Sequence, residues 1–155
     1  MRGTVVCGVT NQAQAATATE VARAISDRLE LRLVLVHVVE GVPPATEESL
    51  TARQRRQGGE KLLRELSRDA GERVEARIVV GERAEALAQV AAEEGADLIV
   101  LGSRATGLRR RRLRCALARE LEAATPVPVL VAPPSTRRRS GRRLAAAETP
   151  ARRTA

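Results

Sequence analysis

Hydrophobic positions along the chain fall into two patterns: nearly unbroken apolar runs, and stripes at helical spacing. Residues 4–9 (TVVCGV) are apolar at almost every position, which predicts a strand buried on both faces. Ala18, Val21, Ala22, Ile25 and Leu29 then recur at helical spacing and predict an amphipathic helix. Residues 31–39 form a second apolar run, broken by Gly41, Val42, Pro43 and Pro44. Thr46, Glu47 and Glu48 have the pattern of a capped, acid-rich helix start. That second helix is expected to be weak at Gly58 and Gly59, firm through Leu62, Leu63 and Leu66, and to end at Gly71.

Residues 74–80 predict a third strand, and Ala84, Leu87, Ala88 and Ala91 a third helix closed by Gly95. A fourth strand is expected over residues 97–101, after which Gly102 opens a long basic loop. Leu113, Leu117, Leu121 and Ala124 mark a fourth helix, and residues 127–131 a fifth strand. Pro128 inside that run lacks an N–H for the ladder, so either the strand lies at an edge of the sheet or its backbone there faces away from its neighbour. Strands alternating with helices predict an α/β fold, a five-stranded parallel sheet with helices on both faces. No internal repeat is present, so residues 1–133 read as one domain. Residues 134–155 keep no periodicity and read as an Arg-rich disordered tail. In open sheets of this class, ligands lie beyond the carboxyl ends of the strands, where strand order reverses. The candidate site is therefore expected at the ends of the first and fourth strands, near Thr10, Asn11 and residues 102–108.

Composition changes the picture in two ways. The 155 residues include no Phe, Tyr or Trp, which excludes binders that stack bases on aromatic platforms. The core must be built from 17 Val, 17 Leu, 3 Ile and 27 Ala, which requires helices with small-residue faces that pack closely. The formal net charge of +8 also divides unevenly. The tail holds seven Arg against Glu148 alone, whereas residues 1–133 carry 20 basic and 18 acidic groups. Lys61 is the single Lys among 27 basic residues, a bias toward Arg that lowers the weight of any one arginine. No apolar run reaches the roughly 18 residues of a membrane span, and no signal peptide is read at the start of the chain. Cys7 and Cys115 make no disulfide framework, so a cytoplasmic, reducing setting is expected.

One stretch, VVGERAEALAQVAAEEGADLIVLG over residues 79–102, is similar to the third-helix and fourth-strand signature of the universal stress protein family. Three further pieces agree in order and spacing. LVLVHV (residues 33–38) resembles the family's second strand, GSR (102–104) its turn, and PVPVLV (126–131) its closing strand. The resemblance implies an adenine-nucleotide hydrolase-like, Rossmann-like fold, often dimerised through the last strand. It also implies a site for ATP or AMP, carried by a G-x2-G-x9-G-[ST] pattern and an Asp ending the first strand. Placed on this chain, the first Gly is Gly102, the second falls on Ala105, the third on Cys115 and the hydroxyl on Ala116. The Asp falls on Thr10. Ala tolerates positive φ poorly, Cys115 adds a side chain where backbone must approach, and the hydroxyl and carboxylate are gone. Ser103, Arg104 and Gly107 complete the candidate set; Arg104, Arg114 and residues 109–112 could hold phosphate by charge, with Gly107 supplying flexibility.

Other candidates have plainer alternatives. Cys115 is either a thiol activated by a basic helix start or a small packing residue. Cys7, inside a buried strand, is packing. His37 either binds a ligand or is a strand-end histidine bonded to neighbouring backbone, with no second ligand at metal spacing. The RRRR run is an anion site or a solvated segment, and the tail either contacts phosphates or only aids solubility. No nucleophile–base constellation or metal motif occurs, so neither catalysis, metal nor obligatory cofactor is expected. The expectation is a non-enzymatic stress-response module, homodimeric, with nucleotide binding weak or lost. Two alternatives remain open: an ATP- or AMP-binding sensor using the arginines, and a binder of nucleic acid or anionic surfaces through the tail.

Overall fold

The computed structural model describes residues 3–9, 12–41, 50–68, 73–103 and 108–133, with the side chains of 12–14, 50, 51 and 108–115 set aside. Nine elements alternate along the chain: β1 (Thr4–Gly8), α1 (Gln12–Leu29), β2 (Arg32–Val39), α2 (Leu50–Ser67), β3 (Val74–Val80), α3 (Arg83–Glu93), β4 (Ala96–Gly102), α4 (Leu108–Ala124) and β5 (Val129–Ala132). All strand pairs are parallel, in the order β3-β2-β1-β4-β5. The chain thus steps outward from β1 to β3, returns to the far side of β1, and finishes at β5. Strand order reverses between β1 and β4.

The α/β expectation holds, and the burial explains the unbroken apolar runs. Every residue of β1 is buried, because helices cover both faces of the sheet. On one face Val5, Cys7, Leu33, Leu35 and Val100 meet Ala15, Ala18 and Ala22 of α1 and Leu62 and Leu63 of α2. On the other, Val6, Val34, Val36, Ile99 and Leu101 meet Ala84, Leu87, Val90 and Ala91 of α3 and Leu121 of α4. Ala15, Ala18 and Ala22 on the inward stripe of α1 are fully buried, and their small side chains let the helix backbone come close to the strands.

The boundaries differ from the sequence reading in instructive places. The third strand falls on residues 74–80 as expected, and α3 closes at Gly95, whose φ of +59° is left-handed. At the start of α3, Glu82 accepts from the Ala84 and Glu85 amides, occupying donors that a helix N-terminus leaves free. Helix α2 runs without a break through Gly58 and Gly59, so the expected weakness there is not a break. Its proposed start at Thr46, Glu47 and Glu48 and its end at Gly71 lie outside the described residues. Helix α4 begins at Leu108 rather than near Leu113, so the arginines of 109–112 lie on helix, not in a loop. The last strand is an edge strand, with Pro128 just ahead of it offering its carbonyl to the Ile99 amide. Residues 134–155 lie outside the described residues.

At the amino ends of the strands, an ion-pair cluster joins Arg32, Glu75, Arg77, Glu93 and Glu94. Hydrogen bonds from Arg77 and Gln89 hold the exposed Glu93 carboxyl below its ordinary value. There too, the Asp97 carboxylate accepts from the Thr4 amide at 2.9 Å, pinning the start of β1. These contacts tie the amino ends of the strands to the end of α3.

Candidate functional site

The carboxyl ends of β1 and β4 lie side by side, paired from Thr4–Ala96 to Gly8–Leu101. Gly8 is where it is for packing: a Cβ there would lie 3.0 Å from Leu101 and 3.3 Å from Leu87. Val9, 1% exposed, donates its amide to the Val36 carbonyl at 2.8 Å. On the neighbouring strand Gly102 is half-buried, and Ser103 donates its amide to the Ala132 carbonyl at 3.2 Å. The Ser103 side chain is 5% exposed, and its Oγ has no hydrogen-bond partner among the described residues. Leaving a buried hydroxyl unpartnered is costly, and the Thr19, Ser67 and Ser103 hydroxyls share that state among the described residues.

The remaining candidates separate. Ala116 is half-buried within α4, and Cys115 lies in the same helix, both well past its first turn. Their amides therefore belong to the helix interior, where N–H groups are spent on intrahelical bonds. Thr10, Arg104 and Gly107 lie outside the described residues, as do the side chains of Cys115 and of arginines 109–112 and 114. The structure thus brings together Gly102 and Ser103 beside the exit of β1.

Two groups at this end were less visible in the sequence. His37, on β2, reaches across to the neighbouring strand, where its Nδ1 donates to the Val9 carbonyl at 2.9 Å. The expected strand-end histidine bonded to backbone is therefore what the structure contains, and that backbone belongs to Val9, one residue before Thr10. Arg83 at the start of α3 pairs with Glu40 at 2.8 Å, closing the gap between the ends of β2 and β3. Arg55 of α2 donates to the Glu40 carbonyl at 3.1 Å. No sequence signal marks that bridge, since its partners are 43 positions apart. Among the described residues no group of three His, Cys, Asp or Glu could hold a metal ion. None of the described helices is long and apolar enough to cross a membrane.

Known proteins repeat this architecture. A family model described as the universal stress protein family matches residues 1–133. A relative from Thermus aquaticus, "Universal stress protein in QAH/OAS sulfhydrylase 3'region", is 36% identical over 120 residues, covering 74% of this chain and 86% of its own. Among solved structures, "Universal stress protein UspA from Lactobacillus plantarum" superposes with a TM-score of 0.71 at 19% identity, covering 86% of this chain and 99% of that one. "Structure of the universal stress protein from Archaeoglobus fulgidus in complex with dAMP" does so with a TM-score of 0.60 at 18% identity, covering 86% and 98%. At those identities the two structures speak for the fold, while the family model and the Thermus relative speak for descent. This chain belongs to the universal stress protein family.

Proposed function

We propose that the chain is a non-enzymatic regulatory module of this family, working as a homodimer and holding adenine nucleotides weakly or not at all. The observation that carries this reading is the course of α4. It is helical from Leu108, so the positions of the third glycine and the hydroxyl, Cys115 and Ala116, lie inside it. A phosphate cradle needs free amides at a helix start and close backbone approach. A helix interior carrying Cys and Ala offers neither. The Thr10 substitution removes a carboxylate acceptor for the nucleoside, and the chain has no aromatic ring to stack on adenine. The sequence carries no nucleophile–base motif, and regulation is preferred to catalysis on that ground.

A second reading has one observation of its own. The buried Ser103 hydroxyl lies at the reversal point of the sheet, and the Archaeoglobus relative was crystallised with dAMP. A nucleotide sensor would use that hydroxyl with the arginines of 109–112 in place of the glycine cradle. Calorimetric titration with ATP and magnesium separates the two. The regulatory reading expects no heat, or a dissociation constant on the order of 1 mM. Micromolar binding that disappears when the four arginines are changed to alanine overturns it in favour of the sensor.

A further inference from the structure

Helix glycines are normally a cost, and Gly58 is one, with open space where its Cβ would be. Gly59 is different. A Cβ there would lie 2.3 Å from Cδ2 and 2.8 Å from Nε2 of His37. Helix α2 therefore rests directly on the imidazole, and a side chain at position 59 would have to displace the ring from where it lies. Leu33 and Leu35, at alternate positions before His37 in β2, point into the layer formed with α1 and α2. His37 continues that face, so the ring is held between α2 and the sheet.

The ring is also bonded. Paired positions between β1 and β2 run to Gly8–Val36. Beyond them the Val9 amide donates to the Val36 carbonyl, and the Val9 carbonyl accepts from His37 Nδ1 at 2.9 Å. Because a carbonyl can only accept, the proton is on Nδ1. Consecutive residues of β2 thus grip both peptide groups of Val9, one through backbone and one through a side chain. Val9 is the last described residue before Thr10, the first residue of the candidate site.

We infer that His37, clamped by Gly59, is the positioning residue for the exit of β1, fixing the direction in which the chain enters the ligand end of the sheet. The ring acts through the Val9 carbonyl. Its consequence for nucleotide affinity rests on the weak-binding reading above, whereas its effect on Val9 does not.

The test is NMR on the full chain without ligand, reading the Val9 carbonyl carbon and the Thr10 amide in His37→Leu, His37→Asn and Gly59→Ala. Asn can place an amide N–H near the position of Nδ1, so it keeps the donor while losing the ring. His37→Leu and Gly59→Ala are expected to move both signals in the same direction, and His37→Asn to return them most of the way. AMP, titrated into the same samples, should bind several-fold more weakly to the first two variants and recover in the third. Signals in His37→Leu that superimpose on the wild type overturn the inference. So does a His37→Asn spectrum no nearer the wild type than that of His37→Leu. A wild-type chain that takes up no AMP removes only the nucleotide reading, since the Val9 and Thr10 signals still decide the positioning role.

Discussion

Cys7 sits fully buried in the middle of β1, and burial pushes its thiol up to about 12 from an ordinary value of 9.0. The nearby Thr19 hydroxyl works in the other direction without offsetting the burial, and it makes no hydrogen bond of ordinary geometry. A thiol with a raised folded value stays neutral while the unfolded chain ionises, so stability is complete below pH 9.0 and falls from there towards about 12. The composition makes this unusually measurable. With no Tyr and one Lys, few other groups titrate in that window. Denaturant unfolding should lose about 1.4 kcal/mol between about pH 8 and about pH 10, and Cys7→Ala should abolish that loss. A slope unchanged by the substitution would show that the thiol is not the group responsible. The packing role of Cys7 was legible because it stands inside an unbroken apolar run. His37 was only half legible. Its position at a strand end suggested a backbone partner, but a hydrogen bond spanning 28 positions cannot be read from spacing. The cost of Gly59 in a helix is visible in any sequence, whereas the ring that requires it appears only when α2 is laid on the sheet.

The two edges of the sheet are treated differently. Outer strand β3 carries Glu75 and Arg77, charges that discourage another strand from pairing there. Outer strand β5 has no charge over Val129–Ala132, and Leu130 and Val131 are 38% and 36% exposed. An uncharged apolar edge is the surface expected to be covered by a second copy. Leu130→Lys and Val131→Lys together should convert the proposed dimer to monomer in sedimentation velocity while leaving the circular dichroism spectrum intact. A wild-type chain that is monomeric at tens of micromolar removes the dimer from the proposal. The edge position was one of the two arrangements that Pro128 suggested, although the strand starts at Val129, just after the proline. The start of α4 was not legible. Four consecutive arginines have no hydrophobic periodicity, yet arginine is a good helix former, so Leu108–Ala124 extends further toward its N-terminus than the leucine spacing reveals.

At the scale of the molecule, the net charge of +8 is mostly a property of residues 134–155, which hold seven arginines and one acid. The family model ends at residue 133, and the near-balance of 20 basic and 18 acidic groups up to that point leaves little net charge to attract a polyanion. Parts of that balance are already committed, since Arg32, Arg77 and Arg83 are paired with glutamates. The tail's arginines can therefore dominate any contact with nucleic acid, and such a contact would be electrostatic, without sequence preference and steeply salt-dependent. Removing residues 134–155 should abolish retention on immobilised double-stranded DNA at about 0.1 M salt. For the full chain, the logarithm of affinity should fall against the logarithm of salt with a slope no steeper than about −6, the limit for seven phosphate contacts. The shortened chain should keep its thermal midpoint, because the apolar periodicity that builds the sheet and helices stops before the deleted segment. Retention that survives the deletion would move the source to the arginines of α4. That outcome would also favour the sensor, because a site able to hold DNA phosphates by charge could hold those of a nucleotide.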